Sequence, residues 1–252
     1  MPANMSDKHT LVMVNYLNSK PFDLGLKRSA LTSSWNIITE TPAKCAALFA
    51  DGEADVALVP VGALPALKNY KVITDYCIGC DGAVRTVCIF SHTPINFCKR
   101  ILMDTHSRTS VLLSGIMMHE YFGVSPQTLS WDGQSMPGED EAVLMIGDKV
   151  FGYESSFAYR YDLGEIWKLH TGLPFVFAVW VAQPHLGTEE ETVLNQAFAY
   201  GVDHLLDIIR KESTENLDLY YYYHHNIRYK LDEDKKQAMN LFFKKSDALS
   251  GQ

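Results

Sequence analysis

Leu11-Val12-Met13-Val14-Asn15-Tyr16-Leu17-Asn18-Ser19-Lys20-Pro21-Phe22 is the stretch that orders the rest of the chain. Its apolar half, rich in Val and Leu, has the composition of a buried strand. Its polar half closes on Pro21, which cannot continue a central strand. In open α/β sheets, ligands sit in the crevice beyond the carboxyl ends of the strands. Asn18 lies at that end, and its amide both donates and accepts hydrogen bonds. Asn and Ser are also common turn formers. A local turn role for Asn18 and Ser19 therefore stands beside a ligand-binding one.

The pattern outward from this stretch alternates strand and helix. Trp35 to Thr39 reads as a short strand. Thr41-Pro42 reads as an N-cap followed by Pro at the first helical position. The helix from Pro42 to Ala50 stops at Asp51-Gly52, and Asp55 to Pro60 is a compact apolar strand. This order is that of a parallel βαβ unit. Val72 to Thr74 and Ala83 to Ser91 are further strands. Arg85 and Thr86 are polar exceptions in the second, and the Thr86 hydroxyl faces either a wetter surface or a cleft.

A second unit begins with the strand Arg100 to Asp104. Thr105-His106-Ser107-Arg108-Thr109-Ser110 follows, then an amphipathic helix from Val111 to Phe122. Hydroxyl residues ahead of a helix are caps. Together with an arginine and free N–H groups they also suit an anion. Asp140 to Asp148 is a buried strand ending in Gly147-Asp148, where glycine permits close backbone approach and Asp148 accepts from a ligand hydroxyl or caps the next segment. Phe175 to Val181 is a strand buried on both sides. The remainder is helical. Thr188-Glu189-Glu190-Glu191 reads as a capping box for a helix reaching Lys211. Ser213 or Thr214 caps a helix through Tyr220 to Tyr223, Ile227 to Leu231 alternates as a strand, and a last helix carries Ala238 to Phe242. The tyrosine run and His224-His225 read as packing surface rather than as a site.

Composition narrows the function classes. The chain has 252 residues, 47% hydrophobic and 21% charged, with a formal net charge of −8. These values suit one large or two small globular domains. No basic stripe is present, so nucleic acid is excluded as a partner. No apolar run is long enough to span a bilayer. The first ten residues lack the apolar core of a signal peptide, so a cytoplasmic location without membrane attachment is expected. Five scattered cysteines do not make a disulfide framework. Cys77 and Cys80 lack the second ligand pair that zinc needs, and no metal site is expected. Nucleotide-binding loops, the serine-hydrolase elbow and the zincin helix motif are all missing.

Five blocks in register resemble a known family. They are Val14-Asn15-Tyr16-Leu17-Asn18-Ser19-Lys20-Pro21, Asp51 to Pro60, Asp104 with Ser107 to Ser110, Ile146-Gly147-Asp148, and Thr171 to Trp180. Together they are similar to the chorismate dehydratases of the futalosine route to menaquinone, from about residue 10 to the last helix. The resemblance implies an α/β, two-lobed type II periplasmic-binding-protein-like fold with a central ligand cleft. It implies chain crossings near Phe90 to Thr93 and Phe175 to Val179. The first lobe would then be residues 9–90 plus 179–252, and the second 91–178. The implied reaction is a cofactor-independent hydro-lyase step, the loss of water from chorismate. Asn18 is the implied catalytic residue. Ser19, Thr86, Ser107, Arg108, Thr109, Ser110, Gly147 and Asp148 are the implied substrate-binding residues, with no metal. Thr86 departs from the serine that the family pattern leads one to expect. A non-catalytic small-anion binding protein of the same fold is the alternative.

Overall fold

The computed structural model describes residues 8–29, 35–213 and 217–251. The N-terminal segment read for a leader, up to residue 7, and the cap candidate Thr214 lie outside them. The first sheet is built from β1 (His9–Val14), β2 (Trp35–Glu40), β3 (Val56–Pro60) and β4 (Lys71–Cys80), with α1 (Lys20–Arg28) and α2 (Pro42–Ala50) between the early strands. A second set follows: β5 (Val87–Ser91), β6 (Arg100–Met103), α3 (Arg108–Glu120), β7 (Gln127–Ser130), β8 (Glu141–Ile146), α4 (Val150–Tyr153), β9 (Tyr159–Asp162) and α5 (Leu163–Thr171). The chain ends with β10 (Phe175–Ala182), α6 (Thr188–Asp203), α7 (Leu205–Glu212), α8 (Leu219–Tyr221), β11 (Arg228–Lys230) and α9 (Glu233–Ser250).

The six-stranded sheet has the order β11-β4-β10-β3-β1-β2, and the five-stranded sheet β7-β6-β8-β5-β9. β1 lies parallel to both β2 and β3, with Leu11 opposite Ile37 and Val56. β10 inserts antiparallel between β3 and β4. In the other sheet β6 is parallel to β7 and β8, while β5 runs antiparallel to β8 and β9. By sheet membership the chain crosses between Cys80 and Val87 and returns between Asp162 and Phe175. Of the expected crossings, Phe90 and Ser91 lie in β5 and Phe175 to Val179 in β10. Apolar composition marks such strands but does not say which sheet they join.

Local chemistry explains most element ends. Thr41 accepts from the Lys44 N–H at 3.4 Å and starts α2, as its position before Pro42 predicts. α3 starts at Arg108, earlier than its apolar face suggests, because Ser107 is the N-cap and accepts from the Ser110 N–H. The box before α6 is shifted by one residue. Gly187 is the cap, and the Glu190 carboxylate accepts from its N–H at 2.6 Å. The helix read through to Lys211 breaks at His204, where φ is −114° and ψ 35°. β7, β9 and α5 are too short or too polar to stand out in the sequence. Asp162 starts α5 by accepting from the Gly164 and Glu165 N–H groups.

One continuous apolar core runs through both lobes, from Leu11 and Val12 to Ile101, Leu144 and Trp167. Cys77 and Cys80 lie within β4 and are buried; desolvation pushes the Cys77 thiol up to about 12 and the Cys80 thiol well above its usual value. Among the described residues no helix is long and apolar enough to cross a membrane.

Candidate active site

A cavity lies where the two sheets face each other. It holds about 540 Å³ of atom-free space, counting the part open to solvent, within the range of small-molecule sites. Its wall is formed where strands of both sheets end. Val14, Tyr16 and Asn18 follow β1, Leu58 and Pro60 end β3, and Ile146 and Gly147 end β8. Ser107 and Ser110 come from the start of α3, Thr86 and Val87 from the first crossing, and Phe177 and Ala178 from β10. The wall is largely apolar, with a small set of neutral polar groups. None of the lining residues carries a carboxylate, an imidazole or an amine.

Asn18 is held by its backbone. The Leu17 N–H donates to both oxygens of Asp148, at 3.1 and 3.0 Å. The Tyr223 hydroxyl donates to the Leu17 carbonyl at 2.8 Å, and the Tyr229 hydroxyl to the Asn18 carbonyl at 3.0 Å. With the turn clamped from both sides, the Asn18 side chain is presented to the cavity. Its Oδ1 is buried without a hydrogen-bond partner.

Tyr222 lies behind this part of the wall. It is fully buried, and its hydroxyl sits beside the side chains of Thr86 and Asn18 without a hydrogen bond of standard geometry. Burial keeps this phenol far above its usual range, so it is a neutral donor. A π-type turn over Tyr222–Asn226 follows α8. In it Tyr222 and Tyr223 are buried, while Tyr220 and Tyr221 stay exposed. Such turns are rare and frequent at functional sites. The run reads as packing surface in the sequence, and its buried half does pack, Tyr222 meeting the Phe151 ring edge-on at 5.4 Å; nothing in the run's spacing marks Tyr222 as a neighbour of Asn18.

The first crossing positions Thr86. Asp162 accepts from the N–H groups of Val84 at 3.0 Å and Arg85 at 2.6 Å. Arg85 takes a left-handed conformation with φ 68°, uncommon for a residue other than glycine. Its guanidinium forms a two-point bond with Glu154, both distances 2.9 Å. Thr86 is thereby buried on the cavity wall, and its carbonyl accepts from the Gly147 N–H at 2.9 Å. Gly147 has φ 76°, and a Cβ there would lie 3.1 Å from the Tyr16 ring. Burial first, then the nearby Asp104 and Asp148, pushes the Tyr16 phenol up to about 12.

Opposite Asn18 is the start of α3. The Ser110 hydroxyl donates to Ser107 Oγ at 3.1 Å, and both serines are buried on the wall. A helix start with hydroxyls and free N–H groups favours an anionic ligand.

Of the residues implied for substrate contact, Asn18, Thr86, Ser107, Ser110 and Gly147 come together on the wall. Four do not. Ser19 turns inward, and its hydroxyl donates to the carbonyls of Val14 at 2.6 Å and Tyr16 at 2.8 Å. Thr109 is buried under the cavity, donating to the Phe177 carbonyl at 3.0 Å and accepting from the Gly62 N–H at 2.9 Å. Asp148 spends its carboxylate on Leu17, and Arg108 points to solvent. In a short segment with alternating faces, neighbours in sequence cannot all face one ligand.

A model of the menaquinone biosynthesis family matches residues 10–248. This chain belongs to that family. A chorismate dehydratase from Thermus thermophilus is 25% identical over 256 residues, covering 88% of this chain and 94% of its relative. The protein AF1704 from Archaeoglobus fulgidus superposes with a TM-score of 0.70 at 14% identity, covering 98% of this chain and 100% of that one. The CA3427 gene product of Candida albicans, described as having the generic periplasmic binding protein fold, gives 0.67 at 12% identity, with 97% and 90% coverage. The chain thus has the two-lobed periplasmic-binding-protein-like fold, with the cavity between its lobes.

Proposed function

We propose that this member of the menaquinone biosynthesis family is a chorismate dehydratase that converts chorismate to 3-[(1-carboxyvinyl)oxy]benzoate, a hydro-lyase step needing no cofactor. The observation that carries the reading is the pair of buried polar atoms without a standard hydrogen bond, Asn18 Oδ1 on the cavity wall and the Tyr222 hydroxyl beside it just behind the lining, across the cavity from the start of α3. One is an acceptor and the other a donor. A substrate hydroxyl placed between them satisfies both, donating to Asn18 and accepting from Tyr222.

Chorismate carries two carboxylates, a hydrogen at C3 and a hydroxyl at C4. Losing the last two makes the ring aromatic, so the driving force is in the substrate. Ser107, Ser110 and the N–H groups at the start of α3 receive the ring carboxylate. Charge delocalised into that carboxylate as the C3 proton leaves is stabilised there. The C4–O bond breaks with the hydroxyl held by Asn18 and Tyr222, and the C3 proton ends on the departing water. With no basic side chain on the wall, the substrate's own enolpyruvyl carboxylate takes the proton first. The apolar walls, Val14, Leu58, Ile78 and Phe177 among them, exclude water and hold this geometry.

Chorismate incubated with purified protein should give the aromatic product, followed by absorbance and product identification. Tight binding of chorismate with no turnover would make the chain the non-catalytic receptor instead.

A further inference from the structure

We propose that His9, Asp55 and His185 form a site for one divalent transition-metal ion of the zinc class, at the end of the first sheet remote from the cleft. β1 and β3 are parallel, and β10 runs against them with Ala182 opposite Val56. The start of β1, the residue before β3 and the loop after β10 therefore meet at one end of the sheet. His185 Nε2 lies 3.0 Å from Asp55 Oδ1, and His9 Nδ1 lies 3.8 Å from Asp55 Oδ2. One ligand atom from each residue falls within 4.8 Å of the others. Tetrahedral zinc with bonds near 2.1 Å puts its ligand atoms about 3.4 Å apart. The two observed separations, measured to different oxygens of Asp55, lie on either side of that value, and the exposed His185 ring is free to turn toward a shared ion.

The surroundings are those of a held site rather than a chance surface pair. The Thr10 N–H donates to Asp55 Oδ2 at 2.7 Å and orients the carboxylate, the part that outer partners play around bound metals. The Asp55 N–H donates to the Thr10 carbonyl at 2.8 Å, and the Gln183 N–H to the Asp55 carbonyl at 2.9 Å. The His9 ring rests against Trp35 at 5.0 Å and stacks with His185 at 5.9 Å. An ion pair with Asp55 needs one imidazole; a second stacked imidazole is a repulsive neighbour when both are charged and a ligand when both are neutral. Two imidazoles and one carboxylate favour zinc-class ions over calcium or magnesium. Three protein ligands leave a fourth position for water. Because the ligands come from three separate strand ends, the ion acts as a staple across the end of the sheet.

The test uses the full chain, stripped with a chelator and titrated with zinc chloride by calorimetry and with cobalt(II) by visible absorption. One equivalent should bind, with cobalt d–d bands and a raised melting temperature. His185→Ala, at an exposed position, and His9→Ala should each weaken binding by at least about tenfold, while the double variant His224→Ala/His225→Ala should not. No stoichiometric binding to the wild type, or binding unchanged in both His185→Ala and His9→Ala, would overturn the assignment. Product formation from chorismate is expected to be the same with and without zinc, so this outcome is independent of the reading of the cleft.

Discussion

In the proposed dehydration, Asn18 and Tyr222 act on the departing hydroxyl through two atoms. An acceptor and a donor buried without partners cost stability that folding alone does not recover. Asn18→Ala should leave the melting temperature near that of the wild type and lower kcat for chorismate by at least about tenfold, about 1.4 kcal/mol in barrier; normal turnover would remove Asn18 from the mechanism. Tyr222→Phe keeps the ring packed against Phe151 and deletes only the hydroxyl. Its stability should be unchanged or slightly higher, with kcat reduced and KM little affected. A variant that turns over normally would reduce Tyr222 to packing. Ser110→Ala should instead raise KM, since its hydroxyl faces the cavity at the carboxylate end; an unchanged KM would leave Ser110 as part of the α3 cap alone.

At the scale of elements, the turn after β1 is latched to the loop after β8 by Asp148. Burial first of all pushes this carboxyl up to about 6, against the opposing Leu17 N–H and Lys20 and with Glu212 adding to the rise. In the unfolded chain an Asp titrates near about 3.9. The native state therefore binds this proton more tightly than the unfolded state. The stability it contributes is present below about pH 4 and is lost as the pH rises through about 6. Asp148→Asn keeps an acceptor for the Leu17 N–H and does not titrate. The melting temperature of the wild type minus that of the variant should fall between pH 4 and pH 6.5 and then level off. A difference that stays flat across this window would show that the latch is not titrating there. The start of α3 is pinned similarly by Thr109, buried between Gly62 and Phe177. Thr109→Val leaves a buried N–H and a buried carbonyl unpaired, and thermal unfolding should show a loss of about 1–3 kcal/mol.

For the molecule as a whole, the lobes are joined by more than the two crossings. Thr109 binds the first lobe from the second, and Asp148 does so at the turn. Lys245 on α9 pairs with Glu120 at the end of α3, which also meets His170 of α5 at 3.0 Å. These contacts hold the two walls of the cleft together. Thr109→Val should therefore also raise KM for chorismate, a change absent if the contacts do not hold the walls.

Much of this was legible in the chain. Alternating apolar runs and caps marked β1, α2, β3, β8 and β10, because burial and helix-end chemistry are local in their signatures. The order of motifs carried the family, and the end of β1 located Asn18. The sequence by itself therefore determined the apolar strands, though not the short β7 and β9, and which polar blocks end them. Only the tertiary structure decided which of those polar residues share a space. It turned Ser19 and Thr109 inward to satisfy backbone groups and left Arg108 in solvent. It brought Tyr222 from the far end of the chain to Asn18, and His9 and His185 to Asp55. The physical reason is that hydrophobic periodicity encodes a face, whereas a site is a meeting of faces whose pairing depends on sheet order and chain crossing.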